Sequence, residues 1–175
     1  MAKPSRREAV GIIAAGTMSL AATATAPAAS LDVQSQGNKA LSKLDAKQLE
    51  EMTKRAKRVC KSAYCPYSGF RVGAVALSDD GQMFEGCNIE NASYGLTICA
   101  ERNAIFQMVT QNKHRLTAIV IYTPTAKPTA PCGACRQVIN EFGPDALVLS
   151  VCDGSDVIEK RLIELLPNAF GPANL

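Results

Sequence analysis

Apolar positions along this chain follow two different periods. Leu49, Met52, Ala56, Val59 and Ala63 recur at helical spacing behind Asp45 and Gln48, which resemble a capping pair. The spacing predicts a helix over 46–63, and Pro66 blocks its continuation. Residues 70–77 alternate, Ser78-Asp79-Asp80-Gly81 interrupts them, and a strand pattern resumes over 83–89. Two strands around an Asp-Gly turn predict a hairpin. Residues 99–111 predict a helix with Ala100, Ala104, Ile105 and Met108 facing inward. The almost continuous apolar run 116–122 predicts a strand buried on both faces. A helix over 133–142, a strand over 146–151 and a helix over 157–166, stopped by Pro167, complete the pattern. The order is α-β-β-α-β-α-β-α, with no internal repeat. Helices alternating with buried strands imply an α/β fold, a central sheet covered on both faces.

The first 30 residues follow neither period. Ser5-Arg6-Arg7 precedes an uncharged stretch from Ala9 to Leu20, then Ala, Thr and Pro. A charged start, a mild apolar middle and small residues fit an export leader, and the paired arginines fit the bacterial twin-arginine route. Cleavage would follow Ala24 or Ala28. Residues 9–31 carry no charge and can just span a bilayer, so an uncleaved anchor is the first alternative. A segment outside any fold is the second. Residues 31–44 are polar and read as a linker. The expected layout is a leader over 1–30, a linker over 31–44 and one folded domain over 45–175. The expected place is outside the cytoplasm if the leader works, and the cytoplasm otherwise, with no stable membrane partner.

Composition narrows the class. The 175 residues are 47% hydrophobic and 20% charged, which excludes a disordered chain and supplies a core without disulfides. There is no tryptophan, and aromatic residues make up 5%, against an extended stacking platform for bases or sugars. Net charge is +3, and the leader, with Lys3, Arg6 and Arg7 against Glu8, accounts for most of the excess and leaves +1 for the rest. A nucleic-acid partner, which calls for a basic surface, is not indicated.

Cysteine carries the chemistry. Seven residues (Cys60, Cys65, Cys87, Cys99, Cys132, Cys135 and Cys152) cannot all pair within one chain. Pro131-Cys132-Gly133-Ala134-Cys135 leads into a predicted helix. By itself this spacing fits a redox pair, half of a structural zinc site, or a catalytic metal site. Cys99 opens another predicted helix and supplies a third sulfur. Three protein ligands leave one tetrahedral position free, which is the catalytic arrangement. Zinc there lowers the pKa of a bound water. Glu101, two residues on, need not be a ligand and can move the water's proton to the substrate. Three thiolates and Zn²⁺ sum to one negative charge. The two helix N-termini and Arg102 are candidates to offset it. Zinc nucleobase deaminases carry such a glutamate upstream of Pro-Cys-x-x-Cys. This chain has Cys99-Ala100-Glu101, so its first ligand is cysteine.

With Cys99-Ala100-Glu101-Arg102 and Pro131-Cys132-Gly133-Ala134-Cys135-Arg136-Gln137, other segments resemble the cytidine deaminase family. They are Tyr64-Cys65-Pro66-Tyr67-Ser68-Gly69-Phe70-Arg71-Val72-Gly73-Ala74, Gly86-Cys87-Asn88-Ile89-Glu90-Asn91 and Glu164-Leu165-Leu166-Pro167. The likeness is to the small homotetrameric type with three cysteine ligands, and it covers roughly residues 44–175. It implies a three-layer α/β/α fold with a central mixed sheet of about five strands. It implies hydrolytic deamination of cytidine and deoxycytidine in pyrimidine salvage. Zn²⁺ would be held by Cys99, Cys132 and Cys135, and Glu101 would shuttle protons. Asn88 and Glu90 would hydrogen-bond the ribose, Phe70 would pack on the pyrimidine, and Ala100 would offer backbone groups to the base. Tyr94 and Phe170 match aromatic positions that line a neighbouring subunit's site. Without the resemblance, Asn88 and Glu90 read as a turn cap, and Phe70, Tyr94 and Phe170 as ordinary hydrophobic residues. A blasticidin-S-type aminonucleoside deaminase shares the zinc motifs and is the nearest rival. A nucleotide deaminase is disfavoured because no basic cluster awaits a phosphate, and a non-catalytic zinc or redox module is the rival from outside the enzymes. Cys60, Cys65, Cys87 and Cys152 read as small buried residues. His114, the single histidine, falls on a predicted loop, and the basic run 54–58 on the solvated face of the first helix. The leader departs from the cytosolic family.

Overall fold

A computed structural model describes residues 44–175. The expected leader and most of the linker lie outside the described residues. Helix α1 spans Ala46–Cys60, with Asp45 as its cap accepting from the Lys47 amide at 3.2 Å. Among the described residues Gln48 makes no reciprocal bond. Met52, Ala56 and Cys60 form its buried stripe. The helix stops at Cys60 rather than at 63, and residues 61–63 form a turn held by Ser62 N–H to Val59 O and Ala63 N–H to Cys60 O.

Strands β1 (Gly73–Ser78) and β2 (Met83–Cys87) form the expected hairpin. Gly81 sits in the turn at φ +84°, a conformation that favours glycine. The first strand is shorter than the alternation from 70 suggests. Asn88 holds residues 70–72 outside the sheet: its amide oxygen accepts from Val72 N–H at 2.8 Å, and its nitrogen donates to Phe70 O at 2.8 Å.

Helix α2 (Ala100–Thr110), strand β3 (Leu116–Tyr122), helix α3 (Gly133–Phe142) and strand β4 (Leu147–Val151) follow where the pattern put them. The last stretch differs. Residues 157–166 are not one helix but an edge strand, β5 (Val157–Arg161), and a single helical turn, α4 (Leu162–Leu165). Strand β5 pairs antiparallel with β4, from Val151↔Val157 to Leu147↔Arg161. An edge strand with an exposed face carries charge, so Glu159, Lys160 and Arg161 gave no strand alternation. Lys160 and Glu164, paired at 2.9 Å across the strand–helix junction, imitated helical spacing.

The strand order is β2-β1-β3-β4-β5, with β3 and β4 parallel and the other neighbours antiparallel. On one face α1 packs Met52 and Ala56 against Val75, Val120 and Leu149. On the other face α2, α3 and Leu162 cover Ala74, Ile119, Ile121 and Val148. The fold is thus a three-layer α/β/α sandwich around a mixed five-stranded sheet. Each fully buried Ile, Leu or Met contributes about 1.5–3 kcal/mol. Among the described residues no helix is long and apolar enough to cross a membrane.

Two glycines set the layer spacing. A Cβ on Gly73 would lie 2.1 Å from Ala56 O of α1, and one on Gly86 would lie 2.5 Å from Ala100 O of α2. The second contact seats the start of α2 directly on the β2 backbone.

Candidate active site

Two helix starts meet beside the sheet. Cys99 caps α2 and Cys132 caps α3, both in extended backbone conformation and neither bonding its own helix through the side chain. Their thiols are therefore free to face each other. Cys135, in the first turn of α3, is fully buried. The three sulfurs lie within 4.8 Å of one another, and Cys99 Sγ is 3.9 Å from Cys132 Sγ. Ligands about 2.3 Å from a tetrahedral zinc stand about 3.8 Å apart, so the trio fits that ion. A disulfide would need about 2 Å, and all seven cysteines are free.

Charge around the sulfurs also suits a cation. Hydrogen bonds from Cys135, then Arg102 and Cys132, bring the Cys99 thiol down to about 5. The same bond with Cys99, burial and the Glu101 carboxylate push the Cys135 thiol up. A divalent ion reverses that competition by displacing the protons. Arg102 donates from Nη2 to Thr97 O at 3.0 Å and to Cys99 Sγ at 3.8 Å. Its fixed charge thus stands against the first thiolate. Its buried Nε has no partner among the described residues.

Glu101 is 5% exposed, and that burial, the largest influence on it, pushes its carboxyl up from the ordinary carboxylate range. A carboxyl poised upward exchanges protons nearer neutral pH, as an acid–base group needs.

A cavity of about 290 Å³ joins these groups to the expected substrate side. Glu101, Cys99 and Cys132 line it, and so do Phe70, Asn88 and Glu90. Asn88 has already committed one N–H and one lone pair to the 70–72 segment, which leaves it one of each. Glu90 accepts from the Tyr67 amide at 2.9 Å, the Ser68 amide at 3.2 Å and the Ser68 hydroxyl. The Ser68 hydroxyl, followed by those amides, lowers the Glu90 carboxyl. Both residues therefore fasten the turn that carries Phe70, besides facing the cavity. The cap-like interpretation of Asn88 and Glu90 is visible in these bonds.

Other expected residues lie elsewhere. Ala100 is fully buried under the start of α2 and does not line the cavity. Tyr94 lies on a 3₁₀ turn, Tyr94–Leu96, and lines an adjoining cavity of about 350 Å³ with Tyr67, Ser68, Glu90 and Thr97. Its ring meets that of Tyr67 edge-on at 5.8 Å. Phe170 lines neither cavity, and its carbonyl accepts from Gln137 at 2.9 Å. The sequence did not single out Thr97, Thr123 and Thr129, which also line the 290 Å³ cavity. Thr129 precedes the Pro131-Cys132 motif by two positions and Thr123 follows β3. That proximity was the only signal for either.

Known proteins share this architecture. The family model for the cytidine and deoxycytidylate deaminase zinc-binding region matches residues 46–151. A cytidine deaminase of Halalkalibacterium halodurans is 46% identical over 120 residues, covering 68% of this chain and 91% of that protein. One of Sporosarcina psychrophila is 42% identical over 129 residues, covering 73% of this chain and 94% of that one. The crystal structure of a cytidine deaminase from Burkholderia pseudomallei superposes with a TM-score of 0.67. It is 44% identical and covers 69% of this chain and 98% of that one. Sulfur trio, buried glutamate, five-stranded sheet and these likenesses agree, and the chain belongs to the cytidine and deoxycytidylate deaminase zinc-binding family.

Proposed function

We propose that the protein is a zinc-dependent hydrolase that converts cytidine and deoxycytidine to uridine and deoxyuridine with release of ammonia. One observation carries the proposal: a buried carboxyl, Glu101, lines the same cavity as two of three thiols set at zinc-ligand spacing. Cys99, Cys132 and Cys135 would hold the metal. Zinc, when bound, supplies Lewis-acid activation of a water. Glu101 takes a proton from the attacking water and delivers it to N3 of the ring. It then takes the second proton, from the hydroxyl now on C4, and gives it to the C4 amine; the C4–N bond breaks, C4 becomes a carbonyl and ammonia leaves. Arg102 holds its positive charge against Cys99. Phe70 packs on the pyrimidine. Asn88, with its remaining N–H and lone pair, and Glu90 hold the ribose hydroxyls. Tyr94 and Phe170 serve a neighbouring subunit's site in a homotetramer. Both are exposed on a single chain, in keeping with that role. Residues 1–30 direct export by a twin-arginine route, and the enzyme feeds salvage with nucleosides met outside the cytoplasm.

The test is a substrate panel with the purified protein: cytidine, deoxycytidine, CMP and blasticidin S, followed by product formation. Turnover of the two nucleosides well above the others is expected. Preference for blasticidin S moves the substrate class, and zinc-loaded protein that turns over none of them contradicts the proposal. A reporter fused to residues 1–35 tests the leader, and retention in the cytoplasm contradicts export.

A further inference from the structure

One wall of the 290 Å³ cavity is not used by the reaction above. Thr123 follows β3 directly and is 1% exposed, yet it lines the cavity with Thr129 and Glu101. Its Oγ1 lies 2.8 Å from Thr125 Oγ1 and 3.4 Å from Thr129 Oγ1. Thr125 in turn donates to Lys127 O at 2.7 Å.

Proton counting fixes the direction of this chain. Each hydroxyl has one proton, and a backbone carbonyl only accepts. The Thr125 proton must therefore lie toward Lys127 O. Thr125 Oγ1 then accepts, and the proton it receives is that of Thr123. Thr123 has no proton left to give, so it offers the cavity lone pairs only. The Thr129 contact, at 3.4 Å, is the loosest link, and a bound donor displaces it at little cost. The chain is not a proton wire, because it ends on a carbonyl that cannot carry a proton at neutral pH. It is a fixed acceptor on the wall of a cavity that Glu101 also lines.

We propose that Thr123 Oγ1 accepts an N–H of the substrate's C4 amine, and of the ammonia that amine becomes, and so positions the leaving group beside Glu101. The proposal rests on the cytidine function given above. A C4 carbonyl brings only lone pairs to the same wall, so the wall selects an amine over a carbonyl.

Thr123→Val keeps the shape and removes the acceptor, and Thr123→Ser keeps the acceptor. The measurements are kcat/KM for cytidine and the inhibition constant of a pyrimidine riboside with hydrogen in place of the C4 amine. Thr123→Val is expected to lose about tenfold in kcat/KM, the size of one neutral hydrogen bond left unmade. Its inhibition constant for the amine-free riboside stays unchanged, and Thr123→Ser recovers turnover. An unchanged kcat/KM, a parallel loss for both compounds, or a serine variant as poor as valine overturns the proposal. If Thr123→Val fails to fold, Thr123→Ala decides. It removes the hydroxyl without adding bulk, and cytidine turnover falls without a change for the riboside; unchanged turnover overturns the proposal. Wild-type protein that leaves cytidine intact removes the parent function and this proposal together. Wild-type turnover with an indifferent Thr123→Val removes this one alone.

Discussion

Asn88 illustrates what a single side chain does here. Its amide ties Phe70 O and Val72 N–H, two backbone groups that no strand partner satisfies, and it is itself buried. Asn88→Ala is therefore expected to lower stability by about 1–3 kcal/mol as well as to weaken nucleoside binding. Denaturant unfolding measures the first effect and KM the second. A variant of unchanged stability would mean that the side chain acts on the ligand alone. At this scale the metal chemistry was legible in the sequence. Cys99, Glu101, Cys132 and Cys135 lie within two short motifs, and each motif opens a helix, so local spacing already brings donors near one another. Thr123 and Thr129 were not legible. Their place in the cavity depends on how the loop after β3 folds back, and threonine in a loop has many ordinary explanations. Phe170 and Tyr94 were named only through family likeness, and on a single chain they lie apart from the metal cavity.

Elements hold the site by contact with the sheet. Gly86 of β2 leaves room for the first turn of α2, which carries Cys99 and Glu101. Gly86→Ala would place a Cβ 2.5 Å from Ala100 O and push that turn away. A loss of about 1–3 kcal/mol in unfolding free energy is expected, together with reduced zinc content. Full zinc with wild-type stability contradicts this placement of α2. The β1–β2 hairpin gives a pH prediction. The Asp80 carboxyl is held down to about 2, first by the Lys113 ammonium and then by the Ser78 hydroxyl. An unfolded aspartate titrates near about 3.9. Between these values the unfolded chain binds more protons than the folded one, so stability falls as pH drops through that window. Melting temperature between pH 4 and pH 2 is expected to fall more in wild type than in Asp80→Asn; equal falls contradict the pairing. Element type was readable wherever an element is buried. The run 116–122 has an apolar face on both sides of the sheet, and it is β3. β5 was missed because half of its environment is solvent, which erases the hydrophobic signal.

The whole molecule leaves large apolar side chains in water. Tyr94 is 74% exposed, Leu96 65% and Phe170 60%. Single exposed hydrophobic residues are ordinary, but Tyr94 and Phe170 are the residues proposed above to serve a neighbouring subunit's site. Light scattering on the purified protein is expected to give the mass of four chains. A monomer with full activity contradicts the shared-site role of Phe170. The layer architecture was legible at this scale because alternating helices and buried strands admit few arrangements. Beyond the β1–β2 hairpin, strand order was not, since β1 pairs with β3 across a long stretch of chain that no local pattern specifies.

The central claim is that Glu101 moves protons in a cavity that Cys99, Cys132 and Cys135 supply with zinc. The most direct measurement is cytidine turnover and zinc content in wild type and Glu101→Gln, side by side. Glutamine keeps the shape but cannot exchange a proton, so kcat should fall by about 10²–10⁴-fold while zinc stays bound. A variant that retains both zinc and wild-type turnover would contradict the account.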